Sequence, residues 1–471
     1  MKIRSVFSNS AGILLSRIFG FIRDLAMASI LGANIYSDMF FVAFKLPNLF
    51  RRIFAEGAFA QSFMPSFIAS TRKSIFSAKI ALIFLALTTA LSIAVSLLGP
   101  YVTMLVAPGF ETQMLTVTAR FVAIQFWYLP LVFGVTFLGS LLQYKEHFAT
   151  TAFSTVLLNI SLIVGLLLTR DEAGEDILLV LSWCVLAGGA LQVAAHILMA
   201  RKLGVTKMLC VGVVSLRKGG DRLKRDTKRF FKNFFPAIWG NSTAQIMAFL
   251  DTWLASFLAT GSISYLYYAN RIFQLPLALF AIALSIAIFP SIAKSIKNDK
   301  TDHAVMELKK GFWILLFLLS VAAIGGIVFS KEIIWLLFER GAFGREDTIL
   351  SAETLRMYMI GLLPFGLAKL FSLWLYSRHE QLKAAKIATY TLAGYAASAV
   401  ILIGPMGVKG LALASTISGF VNFTLLAAAF GSERLAMLFD HKKSMILLAV
   451  ILVSTGVMLP IHEAVSGLIG L

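Results

Sequence analysis

Long apolar stretches recur along almost the whole chain and are separated by short polar connections. A helix needs about 20 apolar residues to cross the hydrocarbon core of a bilayer. By that measure the pattern predicts thirteen transmembrane segments, at residues 5–31, 35–68, 78–106, 112–142, 149–169, 177–200, 233–259, 263–293, 311–330, 349–377, 384–403, 408–430 and 444–460. The sequence therefore predicts an all-α polytopic membrane protein.

Basic residues are concentrated in alternate connections. They follow every even-numbered segment, as Lys294, Lys297 and Lys300 do after the eighth, whereas residues 171–176 after the fifth are mostly acidic. Cytoplasmic loops carry the excess of lysine and arginine in membrane proteins. The pattern thus predicts a cytoplasmic N-terminus and, after thirteen spans, a periplasmic tail at residues 462–471.

Composition narrows the class of protein. Of 471 residues, 58% are hydrophobic and 14% are charged, against about 25% charged in soluble domains. This excludes a soluble enzyme, a disordered chain and a nucleic-acid-binding domain. In such an apolar chain, the net charge of +18 indicates basic cytoplasmic loops of a membrane protein. The two isolated cysteines are too few for a disulfide framework or a metal site.

A repeated sequence pattern divides the chain. The form D-x-x-x-A-S-x-L occurs at residues 24–31 and 251–258, and each copy precedes a proline-containing helix with Leu46-Pro47 or Leu275-Pro276. Chance similarity between apolar helices is the alternative. Six spans in each half would make two parallel six-helix lobes and one extra C-terminal helix. The predicted parts are an N-lobe (1–204), a basic cytoplasmic linker (205–232), a C-lobe (233–431) and a thirteenth span with its short tail (432–471).

The predicted linker is strongly basic, with eight basic and two acidic residues between Arg217 and Lys232. It could form an amphipathic helix on the anionic inner leaflet. An ordinary cytoplasmic linker is the favoured interpretation, because the bias toward positive cytoplasmic loops alone predicts basic residues there.

Charged residues inside the predicted spans are the strongest functional signal. Each would cost about 2.5–3.5 kcal/mol at the centre of a bilayer, so these side chains must face protein or water. In the first, second, seventh and eighth segments they are Arg17, Arg23, Asp24, Asp38, Lys45, Arg51, Arg52, Glu56, Asp251 and Arg271.

Helical phase assigns faces to some of these charges. Arg17 and Asp24 are seven residues apart and share a face. Asp38, Lys45 and Arg52 would share one in an unbroken helix. Pro47 interrupts that phase, which leaves open whether Arg51 or Arg52 points inward.

The ten charges comprise six basic and four acidic residues, a surplus of two positive charges. A purely structural ion-pair network would tend toward neutrality, so surplus arginine in a hydrated cavity indicates an anionic ligand such as a phosphate. The alternative is that the pairs only lock the first two helices together while spare cations contact lipid headgroups. Zinc-protease, P-loop and serine-hydrolase motifs are absent from the sequence, which favours transport over catalysis.

Several motifs resemble those of one family. They are S-R-I-F-G-F-I-R-D at residues 16–24, S-D-M-F-F-V-A-F-K-L-P-N-L-F-R-R-I-F-A-E-G-A-F at 37–59, L-N-I at 158–160, G-S-I-S-Y-L-Y-Y-A-N-R at 261–271, and residues 364–369. Together they resemble the MurJ (MviN) family of lipid II flippases in the MOP exporter superfamily. The resemblance runs through most of the chain, and the second motif is highly specific.

This resemblance implies a function. The family moves undecaprenyl-diphosphate-linked disaccharide-pentapeptide, lipid II, from the inner to the outer leaflet of the bacterial cytoplasmic membrane for peptidoglycan synthesis. We expect alternating access, no cofactor, either Na⁺ or the membrane potential as energy source, and a monomer whose partners are lipid II and membrane lipids, with no nucleic acid.

Particular residues follow from the resemblance as well. Asp251 matches a family acid implicated in monovalent cation binding, and Arg51 is favoured over Arg52. The implied substrate-binding residues are Arg17, Arg23, Arg51 and Arg271, with Asp24, Asp38 and Glu56 as their partners and Ser16, Asn159 and Ser264 at the cavity.

The sequence departs from the family at two points. Members usually have fourteen spans, and helices thirteen and fourteen are associated with a groove for the lipid tail. This chain ends eleven residues after the thirteenth predicted segment, so that groove is expected to differ. Asn270 stands where some members have aspartate, which removes a potential partner of Arg271.

Two other functions are weighed against this one. The first is another MOP-type exporter, of polyprenyl-linked O-antigen units or of cationic drugs. A drug exporter should have a surplus of acidic residues in its cavity. An O-antigen-unit flippase is distinguished from a lipid II flippase only by the sequence motifs. The second, a membrane-embedded glycan transferase, is disfavoured by the absence of paired catalytic carboxylates.

Overall fold

The structure of the chain, a computed structural model, describes residues 3–52 and 58–469, and for residues 3–10 and 239–244 it describes the backbone alone. Every regular element within these ranges is a helix. The predicted all-α class is therefore confirmed. Glu56, one of the predicted site residues, lies outside the described residues.

The chain divides into two compact units, Met1–Phe257 and Leu258–Leu471. The first unit contains a short 3₁₀ turn at Leu216–Lys218 and the following α-helices: α1 (Ile3–Leu31), α2 (Ile35–Phe50), α3 (Ala58–Ala69), α4 (Lys73–Leu97), α5 (Gly99–Val106), α6 (Thr112–Phe126), α7 (Tyr128–Tyr144), α8 (Ala149–Leu168), α9 (Gly174–Lys202), α10 (Val205–Val214) and α11 (Gly220–Ala255). The lobe boundaries inferred from the sequence repeat stay a prediction.

The second unit contains a π-helical segment at Leu277–Ile282 and the remaining α-helices: α12 (Ser262–Pro276), α13 (Ala283–Lys297), α14 (Thr301–Val328), α15 (Ser330–Phe338), α16 (Arg345–Ile360), α17 (Leu362–Ser377), α18 (Gln381–Met406), α19 (Val408–Phe430), α20 (Ser432–Leu438) and α21 (His441–Ile469).

The helices agree with the predicted spans. Among the described residues nine helical stretches are long and apolar enough to cross a membrane, and α16 with α17, bent by 42°, would make a tenth. The three predicted segments not in that set coincide with α1, with α2 and α3 together, and with α11, all of which carry charged residues within a predicted span. The predicted count of thirteen is consistent with this arrangement.

The seventh segment begins earlier than predicted. α11 starts at Gly220 rather than near residue 233, because the basic stretch has a helical apolar stripe of its own. Leu223, Thr227, Phe230 and Phe234 recur at helical spacing and are buried. Since this stripe packs against protein, the stretch is a helical extension of the seventh segment, which favours the linker over a helix lying on the leaflet.

Aromatic rings form the core against which this stripe packs. Phe59 is fully buried, and its ring centroid lies 5.1–6.4 Å from those of its aromatic neighbours. Those neighbours are Phe63, Phe84, Phe133, Phe137 and Phe230. The rings come from α3, α4, α7 and α11, so this cluster joins four helices that are distant in sequence.

Replacing Phe59 with alanine should destabilise the first unit. Removing a fully buried phenylalanine costs about 3–5 kcal/mol, because it leaves a cavity among rings that cannot collapse freely. We expect a lower midpoint of thermal unfolding for the purified protein in detergent. Phe235→Ala is the matched control, since Phe235 is 64% exposed; an equal loss in both variants would contradict the role of the cluster.

The last helix is longer than predicted. The predicted thirteenth segment ends at residue 460, but α21 continues through Pro460 to Ile469, so that predicted end is wrong. A proline removes one helical N–H donor, and here tertiary contacts outweigh that loss. Glu332 Oε1 lies 2.6 Å from His462 Nδ1 and accepts a hydrogen bond of 3.1 Å from Ser466 Oγ.

Contacts at both ends fix the direction of α21 relative to α14. At the start of α21, Lys309 Nζ of α14 donates to the carbonyl oxygen of Phe439 at 3.1 Å. Near its end, His462 contacts Glu332 of α15, which directly follows α14. The two helices therefore run in the same direction, so their C-terminal ends lie on the same side.

Candidate functional site

A close approach of α1 to α8 builds the first part of the site. At Gly12 an added Cβ would stand 2.6 Å from the Cβ of Ala152, a distance that any side chain would have to relieve. Glycine at this position therefore allows the two backbones to come together. One turn further along α1 lies Ser16, whose carbonyl oxygen accepts a hydrogen bond of 3.4 Å from the side-chain amide of Asn159 on α8.

Arg23 is held by two of the predicted site residues. Its Nε and Nη2 atoms donate to Asp24 Oδ1 at 3.1 and 2.5 Å, and its Nη1 donates to Asn159 Oδ1 at 3.2 Å. Asp24 is fully buried. Hydrogen bonds to a charged partner are short and strong, so this arrangement fixes the orientation of the guanidinium at the junction of α1 and α8.

The second helix carries the next group of charges. Asn34 caps α2 in a reciprocal capping box with Ser37, and Asp38 in the first turn is buried. Arg51 is half-buried, and its Nε donates to Asn48 Oδ1 at 3.3 Å, whereas Arg52 is exposed.

A change of helical pitch accompanies these two arginines. Residues 51–52 are π-helical and follow the end of α2 at Phe50. The local geometry thus differs from the unbroken helix on which the phase argument was based. The assignment of the substrate contact to Arg51 rather than Arg52 stays a prediction.

Lys45 has neighbours from two helices. Asp251 on α11 and Arg52 both lie close enough to act on the charge of Lys45, Asp251 by attraction and Arg52 by repulsion. Lys45 and Arg52 are thus near one another, as their seven-residue spacing predicts. The proximity of Lys45 to Asp251, more than two hundred residues away, was not foreseen from the sequence.

In the second unit, Ser264 and Arg271 lie on α12. They are seven residues apart and therefore share a face of the helix; Ser264 is fully buried and Arg271 is half-buried. Gly261 precedes the helix with φ of +92°, a backbone conformation that favours glycine. Asn270, where some family members have aspartate, accepts a hydrogen bond from the side chain of Gln274 one turn on.

A surplus of positive charge is also present when the first unit is counted by itself. Of the ten charges singled out in the sequence, this unit has five basic residues and three described acidic ones, and with Glu56, which lies outside the described residues, the balance is +1. In a low-dielectric environment such a surplus attracts an anion more strongly than it would in water. These charges are Arg17, Arg23, Lys45, Arg51 and Arg52 against Asp24, Asp38 and Asp251.

No metal centre is evident among the residues that the structure describes. Within them, no group of three or more histidine, cysteine, aspartate or glutamate residues is placed to hold a metal ion. Asp251 is half-buried and lies within electrostatic range of Lys45. The monovalent cation at Asp251 therefore stays a prediction.

Two histidines have partners that the sequence did not predict. His196 is fully buried; its Nδ1 lies 2.8 Å from the carbonyl oxygen of Gln192 and its Nε2 3.4 Å from Thr151 Oγ1. His462 contacts buried Glu332. Neither contact has a sequence signal, because the partner of each histidine is set by helix packing.

An all-helical membrane protein with charged residues buried at helix junctions belongs to the class of polytopic transporters. Solved structures show the same fold. The chain "Lipid II flippase MurJ, inward closed conformation" matches with a TM-score of 0.78 at 22% identity, covering 97% of this chain and 98% of that one. An inward-facing multidrug resistance MATE family transporter of the MOP superfamily matches with a TM-score of 0.61 at 13% identity, over 93% and 96% of the two chains.

Sequence comparison identifies the family. The family model "Lipid II flippase MurJ" matches residues 27–468. A probable lipid II flippase MurJ of Helicobacter pylori is 50% identical over 89% of this chain and 92% of its own length, and one of Haemophilus influenzae is 33% identical over 88% and 83%. The chain belongs to the MurJ family of lipid II flippases. This confirms the resemblance seen in the sequence and the prediction that the protein is a transporter and not an enzyme.

Proposed function

We propose that this protein moves lipid II from the inner to the outer leaflet of the bacterial cytoplasmic membrane during peptidoglycan synthesis. The observation that carries the proposal is the surplus of positive charge between Arg17 and Glu56, five basic against three acidic residues, in an otherwise apolar part of the chain. A diphosphate is the part of lipid II that needs such a site, because it is an anion that must cross a medium in which charges are poorly solvated.

The arginines are assigned to the diphosphate. In this proposal Arg17, Arg23, Arg51 and Arg271 each donate to diphosphate oxygens, for which the planar guanidinium is well suited. Asp24, together with Asn159, orients Arg23 and prevents it from turning away when the site is empty, since both side chains accept its hydrogen bonds.

The remaining predicted site residues have supporting roles in this proposal. Asp38 and Glu56 balance part of the charge of the basic side chains, so that the substrate is not held too tightly to be released. Ser16 and Ser264 contribute small polar side chains to the cavity wall. The disaccharide-pentapeptide occupies hydrated space, and the polyprenyl tail stays in the lipid.

Alternating access of the cavity to the two sides of the membrane completes the cycle. A membrane potential that is negative inside favours outward movement of an anion, by about 2.3 kcal/mol per elementary charge per 100 mV. The potential is therefore one source of energy. Sodium at Asp251 is the other, and its binding would compete with Lys45 for the same carboxylate.

A direct transport assay tests the proposed function. The purified protein, reconstituted in vesicles, should move fluorescent lipid II between leaflets, and the expressed protein should restore growth of a bacterium depleted of its own lipid II flippase. Vesicles that contain the Arg23→Ala variant are the control. If a well-expressed protein fails in both assays, or if it moves a polyprenyl-linked O-antigen unit in preference to lipid II, the assignment is wrong.

A further inference from the structure

A cavity of about 490 Å³ lies within the second unit. Its walls come from α12, α14, α15 and α16, and its lining includes Leu275, Gly325, Phe329, Glu332 and Met359. Glu332 is the one polar side chain in that lining. This volume falls in the range of small-molecule sites, about 300–1,000 Å³.

Two glycines of α14, Gly325 and Gly326, line the cavity. A Cβ at Gly326 would stand 2.6 Å from the sulfur of Met359, and one at Gly325 would meet Met458 of the last helix at 3.7 Å. The position of Met458 shows that α21 passes next to the cavity. That helix has no buried residue within the described part of the chain, as expected for a helix with lipid beside it.

The carboxylate of Glu332 is only half satisfied. Its Oε1 atom has His462 Nδ1 at 2.6 Å and Ser466 Oγ at 3.1 Å. Its Oε2 atom is buried and has no hydrogen-bond partner among the described residues. The residue as a whole is 7% exposed, and an unsatisfied buried carboxylate oxygen is costly. A ligand that donates a hydrogen bond to Oε2 would remove this cost.

We propose that this cavity binds the primary ammonium group and part of an acyl chain of an aminophospholipid of the phosphatidylethanolamine type. The ammonium donates to Glu332 Oε2, and the chain occupies the apolar walls around Leu275 and Phe329. The protein spans a membrane, so lipid is the amphiphile always present. A choline headgroup has no N–H to donate, a phosphatidylglycerol headgroup is anionic, and a polyprenyl chain carries no donor near its apolar end.

Lipid selectivity measured by native mass spectrometry tests this proposal. Delipidated protein is titrated with phosphatidylethanolamine, phosphatidylcholine and phosphatidylglycerol that carry identical acyl chains. We expect phosphatidylethanolamine to bind about tenfold more tightly than phosphatidylcholine, the effect of one hydrogen bond between charged groups. Equal binding of the two lipids, or no binding of either, would overturn the proposal.

Variants locate the selectivity at the carboxylate. Glu332→Gln keeps the size of the side chain and should remove the preference for phosphatidylethanolamine. Glu353→Gln is the matched control, because Glu353 pairs with Lys409 at 2.9 Å and is not part of the cavity lining. A preference that survives in Glu332→Gln, or that is lost equally in Glu353→Gln, would contradict the assignment.

Photo-cross-linking gives an answer that does not depend on the folding of a variant. A phosphatidylethanolamine with a photoreactive group in its acyl chain should label peptides of α12, α14, α15 or α16 in the unaltered protein. Ala322→Phe, which fills the cavity away from Glu332, should abolish this labelling. Labelling of other helices alone, or displacement of the label by undecaprenyl phosphate at equal concentration, would show that the cavity does not belong to an aminophospholipid.

Discussion

Replacing Arg23 with alanine is expected to abolish growth support in a bacterium depleted of its own lipid II flippase. Three hydrogen bonds fix the orientation of Arg23, two to Asp24 and one to Asn159. Hydrogen bonds between charged groups contribute about 1.5–3 kcal/mol each. Two such contacts to a diphosphate correspond to at least about a hundredfold loss of binding.

Burial of Asp24 complicates this experiment and also suggests its control. Without Arg23, a fully buried carboxylate loses its cationic partner, which is destabilising in itself. Arg23→Ala with Asp24→Asn removes that charge and should restore the amount of protein in the membrane while leaving transport absent. Arg23→Lys keeps the charge without the planar fork, so we expect partial activity. Recovery of transport in the double variant would exclude Arg23 as a substrate contact.

The other arginines extend the same prediction. Arg17→Ala, Arg51→Ala and Arg271→Ala should each abolish growth support at near-normal membrane levels, because these side chains are exposed or half-buried and water can solvate the groups left behind. Arg52→Ala should be milder. If Arg52 proves essential and Arg51 dispensable, the assignment of the substrate contact to Arg51 is wrong.

Helix positions could be predicted from the sequence because they depend on local composition. Apolar length alone located the segments that became α4, α8, α9 and α19. The errors occur where tertiary contacts override a local signal. Pro460 and His462 read as a helix end, yet the contact of His462 with Glu332 accompanies continuation of α21 to Ile469.

The sequence indicated which residues belong to the site, but it did not indicate which of them interact with one another. Charge inside apolar segments identified Arg23, Asp24, Lys45 and Asp251 as unusual, because the energetic penalty is a property of each residue and its segment. Which charge meets which depends on how helices far apart in sequence pack. Lys45 and Asp251 come together through α2 and α11, and no periodicity in either helix contains that information.

A reporter fused after Leu471 should lie in the periplasm, so alkaline phosphatase should be active there and green fluorescent protein dark. Helices α14 and α21 run in the same direction. Basic residues cluster before and at the start of α14, as Lys297 and Lys300, and at the start of α21, as Lys442 and Lys443. Both helices therefore begin on the cytoplasmic side.

The length and continuity of α21 support a full crossing rather than a return to the cytoplasm. Its 29 residues extend about 44 Å, which exceeds the roughly 30 Å hydrocarbon core. The helix is continuous through Ile469, so residues 464–469 do not turn back as the start of a fourteenth span. Fusion after Asp440, immediately before α21, is the matched control and should give the opposite pattern, a fluorescent protein and an inactive phosphatase. A dark fluorescent protein at Asp440 and a bright one at Leu471 would mean that one span is miscounted, and the side to which the arginine site first opens would then be reversed.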